Sequence, residues 1–182
     1  MNPYAIHITG ASGSGATTLG RALAARTGAV QLDTDDFYWA PVEPKFSAKR
    51  DVGERLRLLR EAFDAARARG WILSGAVGDW ADPIVPLFKL VVFLKTPTEV
   101  RLQRLREREA RDFGAAIEPG GSRHKEFEDF LVWAAAYDSG TREGRSLPRH
   151  EAWLATLSCP VLRLDGMQTP EANAERVWEA LR

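Results

Sequence analysis

Gly10-Ala11-Ser12-Gly13-Ser14-Gly15-Ala16-Thr17-Thr18 follows the apolar run Ala5-Ile6-His7-Ile8-Thr9. It precedes a stretch in which Leu19, Leu23 and Ala24 recur at helical spacing, as far as Gly28. A phosphate-binding loop reads Gly, four residues, Gly-Lys, then Ser or Thr. Gly10, Gly15 and Thr17 stand where that pattern requires them, and Ala16 stands where the lysine belongs. The glycines let successive backbone N–H groups turn inward around an anion, and the helix behind points its positive end at the same place. Ser12, Gly13, Ser14, Ala16 and Thr18 therefore join Gly10, Gly15 and Thr17 as the nucleotide-binding segment. A plain Gly/Ser turn between strand and helix is the competing reading. With the cation missing, either another residue neutralises the phosphates or the site binds nucleotide without using it.

The bulk composition sets few obstacles to that reading. A chain of 182 residues suffices for one domain with a buried core. Apolar and charged contents of 45% and 27% are those of an ordinary soluble globular protein. One cysteine, Cys159, can form no internal disulfide, which fits a reducing cytoplasm. No run approaches the ~18 apolar residues of a membrane helix, and no secretory signal pattern opens the chain. The 25 basic and 25 acidic residues balance, so no general footprint for nucleic acid is expected.

Working outward from the loop, strand-like and helical patterns alternate along the whole chain, the mark of a parallel sheet covered by helices. Residues 29–32 read as a second strand, ~50–69 as an amphipathic helix closed by Gly70, and 71–74 as a third strand. The clearest strand is Leu90-Val91-Val92-Phe93-Leu94. Thr96-Pro97-Thr98-Glu99 reads as a capping box, with Thr96 as the cap. The glycine- and proline-bearing stretch 112–123 reads as mobile. Helices at 124–138 and 148–157, a strand at 161–164 and a helix at 170–181 started by Thr169 and Pro170 complete the pattern. The fold class is α/β: a three-layer arrangement with a five-stranded parallel sheet flanked by helices. One domain spans 1–182, with an acceptor-binding insert at about 34–70 and a helical lid at about 108–150.

Beyond the loop, Leu32-Asp33-Thr34-Asp35-Asp36 closes the second strand. Ligands of open parallel sheets sit beyond the carboxyl ends of the strands. Carboxylates there can hold a magnesium shell or accept a proton from an attacking hydroxyl. Asp33 or Asp35 capping the next segment is the simpler alternative. Arg101, Arg104, Arg108 and Arg111 recur at three- and four-residue steps as one cationic stripe, against the usual solvated face with local ion pairs. Gly75 and the small residues after it let a ligand approach backbone closely. Phe37, Tyr38, Trp39 and Trp80 can line an acceptor pocket or simply pack. Arg50 and Arg55 are candidates for an anionic acceptor, and Asp36 joins that substrate-facing set. Trp133, Tyr137 and Trp153 read as packing, and His124 and His150 lack the constellation of metal ligands.

These motifs resemble the small P-loop kinases that include adenylate kinase and shikimate kinase. In detail the chain is similar to an adenylate-kinase-related branch labelled "topology modulation" proteins, in Gly-Ala-Ser-Gly-Ser-Gly without lysine, Asp-Thr-Asp-Asp-Phe-Tyr-Trp at 33–39, Ser-Gly before Trp80 and the arginine helix. The resemblance implies a P-loop NTPase fold, ATP and Mg2+. It implies Thr17 as magnesium ligand, Asp33 orienting magnesium through water, and Asp35 as acceptor contact and base. Pro97, Arg104 and Arg108 match the adenylate-kinase spacing, which implies that Arg104 stacks on adenine and Arg108 contacts phosphate. Asp165-Gly166 then forms the far wall of the adenine pocket.

Two departures stand out. Ala16 removes the bridging lysine, as in the similar loop of archaeal-type cytidylate kinases. Ser74-Gly75 stands where many P-loop proteins have Asp-Gly, which throws magnesium positioning onto Thr17 and Asp33. Arg104 and Arg108 are the first candidates for the missing charge, with Arg142 or Arg145 second; Arg108, Arg145 and Asp35 form the expected catalytic set. The expected activity is ATP-dependent phosphoryl transfer to a nucleoside monophosphate or another small polar molecule. Cytoplasmic location, a monomer or homodimer, and no nucleic-acid or membrane partner go with it. A nucleotide-binding regulator or adaptor without transfer is the alternative.

Overall fold

The computed structural model describes residues 4–141 and 143–182, which divide into two compact units. The first takes in the chain up to Gly10, then Gly15–Leu94 and Leu157–Arg182; the second takes in Ala11–Ser14 and Lys95–Thr156. The expected segment 1–182 thus contains two contact-defined bodies.

The first unit is built on a parallel five-stranded sheet of β1 (Ala5–Gly10), β2 (Val30–Asp33), β3 (Trp71–Ser74), β4 (Leu90–Lys95) and β5 (Val161–Asp165), in the order β2-β3-β1-β4-β5. This is the α/β class expected from the alternating pattern. Strand β1 pairs in parallel with both β3 and β4, so the glycine loop leaves the sheet where the strand order reverses.

Alternation along β1 sends its side chains to two faces. On one face Ile6 and Ile8 join Leu19 and Leu23 of α1 (Ala16–Thr27), together with Leu90, Val92, Leu94 and Val177. Val177 lies on α7 (Pro170–Ala180), which packs beside α1. On the other face His7 stacks on Phe88 at 4.9 Å, and Trp71 stacks on Phe63 of α3 (Val52–Ala65) at 3.9 Å. Helices therefore cover both faces, giving the three layers.

Helix α1 ends as the sequence predicts, with Gly28 in the left-handed region and its N–H on the Ala24 carbonyl. Helix α7 starts as predicted too, the Thr169 side chain accepting from the Ala172 N–H. Helix α3 stops at Ala66 rather than at Gly70, and its N-cap is Asp51. Three short elements escape the periodicity: α2 (Thr34–Tyr38) and 3-10 segments over Asp79–Leu87 and Gly114–Ile117.

The second unit holds α4 (Thr98–Phe113), α5 (His124–Ala135) and α6 (Leu147–Thr156), with Leu105 of α4 and Leu131 and Ala134 of α5 forming a small core. The expected capping box at its first helix does not form. Pro97 occupies the N-cap without a side-chain cap, because the Thr96 hydroxyl donates instead to the Ser14 carbonyl, 3.0 Å away. The stretch read as mobile is a folded turn. Arg123 donates its N–H to the Ala116 carbonyl and lays its guanidinium 4.1 Å over the Phe113 ring.

Candidate functional site

The first unit holds the start of α1 and the aspartates at the end of β2. Gly15 caps α1 from the left-handed region, at φ 98°, with no side-chain cap. A helix start leaves its first N–H groups without intrahelical acceptors, and an uncapped one offers them to an anion. One residue into the helix, the Thr17 hydroxyl donates to Asp33 Oδ2 at 2.8 Å. Asp33 Oδ1 accepts the Asp35 N–H at 3.0 Å, so the same carboxylate also caps α2. The capping reading of Asp33 therefore holds, and its second carboxylate oxygen is bonded to the Thr17 hydroxyl. A hydroxyl and a carboxylate in contact are the hard oxygen donors that magnesium prefers, and its usual remaining ligands are water and phosphate. Among the described residues no cluster of three or more His, Cys, Asp or Glu is placed to hold a metal ion by itself.

Ser74, opposite Asp33 in the strand register, is fully buried and donates its hydroxyl to the Leu32 carbonyl at 3.1 Å, while accepting from Gln31 Nε2 at 2.7 Å. Ser74 is thus committed inside the sheet. Next to it Gly75 has φ 114°, and a Cβ there would collide with the Thr34 hydroxyl. Close packing of Gly75 on Thr34 seats α2, and with it Asp35 and Asp36. Both carboxylates are exposed. Partial burial raises the Asp36 carboxyl above the usual range, and the Asp33 charge raises it further, against the pull of Arg21 and Arg50.

The two candidate arginines for the acceptor part company. Arg50 donates to the carbonyls of Asp36 (2.7 Å) and Trp39 and lies 3.6 Å from Glu54. It caps the C-terminal end of α2, where a cation is favourable. Arg55, on α3, is buried. Its guanidinium lies 4.0 Å over the Tyr38 ring and 5.6 Å from the Trp80 ring, and its Nε has no hydrogen-bond partner. Among the described residues no carboxylate pairs with it. Trp39 packs edge-on against Tyr38 and Phe46 in a small hairpin closed by the Trp39–Lys49 bridge. At the end of β5, Asp165 accepts the Met167 N–H at 2.9 Å and turns the chain toward α7.

The second unit holds the middle of the loop. Gly13, at φ 80°, is pressed against α4 so closely that a Cβ would stand 2.6 Å from the Arg101 carbonyl oxygen. The Ser14 carbonyl accepts from Thr96 and, at 3.3 Å, from Arg104 Nη1. The Ser12 hydroxyl accepts from Arg145 Nη2 at 2.9 Å, and the Arg145 guanidinium lies 5.9 Å from the Trp133 ring.

The expected arginine stripe is divided among partners. Arg101 is fully buried and donates to the Thr96 carbonyl, the Thr98 hydroxyl and Asp138 Oδ2. Arg108 pairs with Glu109 at 2.7 Å and Arg111 with Asp112 at 3.1 Å. Arg142 lies outside the described residues. Tyr137 and His150 are buried and share a 2.6 Å hydrogen bond.

Sequence reasoning missed Thr96 as a loop anchor because Thr before Pro is also the signature of a cap. It placed Tyr38 only among possible pocket residues, since cation–π contact leaves no spacing in a sequence.

The model of the family AAA_18, described as an AAA domain, matches residues 6–124. The uncharacterized protein YqaC of Bacillus subtilis (strain 168) is 44% identical over 176 residues, covering 97% of this chain and 96% of the relative. Two shikimate kinases share the fold. That of Acinetobacter baumannii, solved with shikimate, gives a TM-score of 0.54 at 20% identity, covering 97% of this chain and 91% of that one. That of Bacteroides thetaiotaomicron gives 0.51 at 21% identity, covering 97% and 96%.

Proposed function

Since this chain belongs to the AAA_18 family of AAA domains, we propose that it is an ATP-dependent phosphotransferase acting on a small, anionic, hydroxyl- or phosphate-bearing acceptor. The observation that carries the reading is the 2.8 Å contact between Thr17 of the loop helix and Asp33 at the end of β2. That pair supplies oxygen donors for a divalent cation at the start of a phosphate-binding helix, and the cation would neutralise charge on the transferring group. The kinase fold shared with the two shikimate kinases agrees with it.

In the proposed step the acceptor oxygen bonds to the γ-phosphorus, the bond from that phosphorus to the β,γ-bridging oxygen breaks, and ADP leaves. Asp35 accepts the acceptor proton. Asp36, Trp39 and Trp80 face the acceptor, and Gly75 lets it approach the backbone. Arg55 supplies the counter-charge for the acceptor anion, and its unpartnered Nε and lack of a carboxylate neighbour support that role. A buried guanidinium without an ion pair is costly unless an anion arrives.

ADP release, measured with ATP and Mg2+ against nucleoside monophosphates, hydroxycarboxylates and sugar phosphates, tests this reading. Acceptor-dependent ADP formation is expected, falling about a hundredfold or more in Asp35→Asn. Ala16 gives specific grounds for one other reading, a nucleotide-binding switch without transfer. Tight ATP binding with neither transfer nor hydrolysis across the panel would establish it and overturn the kinase.

A further inference from the structure

We propose that Arg101 is a positioning residue for the middle of the glycine loop, fixing Ser14 through Thr96 and Gly13 through its own backbone, with Asp138 as its counter-ion. This rests on the nucleotide-binding part of the reading above. All five residues belong to the second unit.

Arg101 is 1% exposed and is the largest fully buried side chain among the described residues. Burying an ion pair is a poor route to stability, since apolar residues of like volume often serve as well or better. A buried guanidinium with its hydrogen bonds made does impose one arrangement on the groups around it. Here Nε donates to the Thr96 carbonyl at 3.0 Å and Nη1 to the Ala134 carbonyl at 3.3 Å, near the end of α5. Nη2 donates to the Thr98 hydroxyl at 2.8 Å and to Asp138 Oδ2 at 3.1 Å. A lysine has its donors at a single point and cannot span these directions. The Asp138 side chain is 44% exposed, so the carboxylate stays hydrated while it neutralises the buried cation.

Thr96 carries this arrangement to the loop. Its carbonyl is held by Arg101, and its hydroxyl donates to the Ser14 carbonyl at 3.0 Å; Thr96 and Ser14 are both buried. The second contact is direct. Gly13 lies against the Arg101 carbonyl oxygen, where no Cβ would fit. The Ser14 N–H closes the turn on the Ala11 carbonyl at 3.0 Å, so two successive loop residues are pinned from one arginine. A loop that receives phosphate through its backbone depends on that backbone being set beforehand by its supports.

Calorimetric titration of AMP-PNP with Mg2+ into wild type, R101K, D138N, T96V, R101K/T96V and D138N/T96V tests the assignment, at a temperature where the proteins are folded. R101K keeps the charge and loses the fork, and is expected to bind about tenfold more weakly. D138N keeps an acceptor oxygen on the exposed side and is expected to bind about threefold more weakly. Neither loss should add to that of T96V, because both pass through Thr96. T169A, which loses the cap of α7 in the first unit, is the control for lowered stability and is expected to bind as wild type does. D138N and its double variant carry the test should R101K not fold. Wild-type affinity in R101K and D138N overturns the proposal and leaves Arg101 as a support of the fold alone. Losses that add to that of T96V overturn it, as does an equal loss in T169A. Each of these outcomes leaves the nucleotide-binding reading standing, whereas wild type that takes up no AMP-PNP overturns that reading and this inference with it.

Discussion

Arg55 is the residue whose energetics are most out of balance. It sits buried between Tyr38 and Trp80 with an unpartnered Nε, and cation–π contact returns only ~0.5–2 kcal/mol of what burial of the charge costs. Arg55→Met, which keeps the volume and drops the charge, should leave the thermal midpoint unchanged or raise it. The same variant should raise the acceptor KM about tenfold or more, the value of one hydrogen bond to a charged group. A melting curve and a KM measurement on one preparation check both halves; a large fall in midpoint would mean that the guanidinium has a structural partner. Arg50, five positions earlier, gives the contrast. Its donors are spent on α2 carbonyls, so its replacement should cost stability before it touches binding.

At the scale of elements, two threonines that precede prolines have opposite duties. Thr169 caps α7, accepting the Ala172 N–H, whereas Thr96 stands before α4 and gives its hydroxyl to the Ser14 carbonyl of the loop. Thr169→Ala should therefore cost about 1 kcal/mol of stability with unaltered nucleotide affinity. Thr96→Val should cost a similar amount and in addition weaken nucleotide binding, because a carbonyl of the loop loses a buried donor. Urea unfolding and nucleotide titration of both variants separate the two duties.

The same pair shows what could be read from the chain. Strands β1 and β4, helix α1 to Gly28 and the start of α7 were legible because periodicity, caps and glycine obey local rules. Asp33 was legible as the cap that ends β2 and starts α2, since Asp favours that position. Helix α2 is too short to show a period, and the 3-10 segment over Asp79–Leu87 contains Pro83 and Pro86, which mask it. The bonds of Arg101 to Asp138 and of Arg104 to the Ser14 carbonyl depend on tertiary packing, while Arg108 and Arg111 pair with the acidic residues that follow them. The spacing alone therefore gave one stripe where the fold divides these arginines among different partners.

At the scale of the whole molecule, the sheet unit holds a histidine at its centre. His7 is fully buried in β1, Nδ1 on the Leu73 carbonyl at 3.0 Å, and burial lowers its pKa from 6.5 to about 4. Between those values the unfolded chain binds a proton that the folded one does not. The contribution to stability is thus complete above pH 6.5 and is lost as the pH falls toward 4. At about 1.36 kcal/mol per unit the loss approaches about 3 kcal/mol. Wild type should therefore lose more stability than His7→Leu between pH 7 and pH 4.5, in urea unfolding at each pH. Parallel losses would mean that other groups carry the acid sensitivity. None of the described helices is long and apolar enough to cross a membrane.

The Arg55 guanidinium, 5.6 Å from the Trp80 ring, also gives the protein a built-in optical probe. A guanidinium near an indole alters its emission, and an anion that pulls the guanidinium aside changes the signal. Trp80 would report arrival of the acceptor, whereas Trp71, sealed between Phe63 and Phe88, would not. The difference between wild type and Trp80→Phe isolates that signal from the other five tryptophans, so unlabelled protein can reveal acceptor binding.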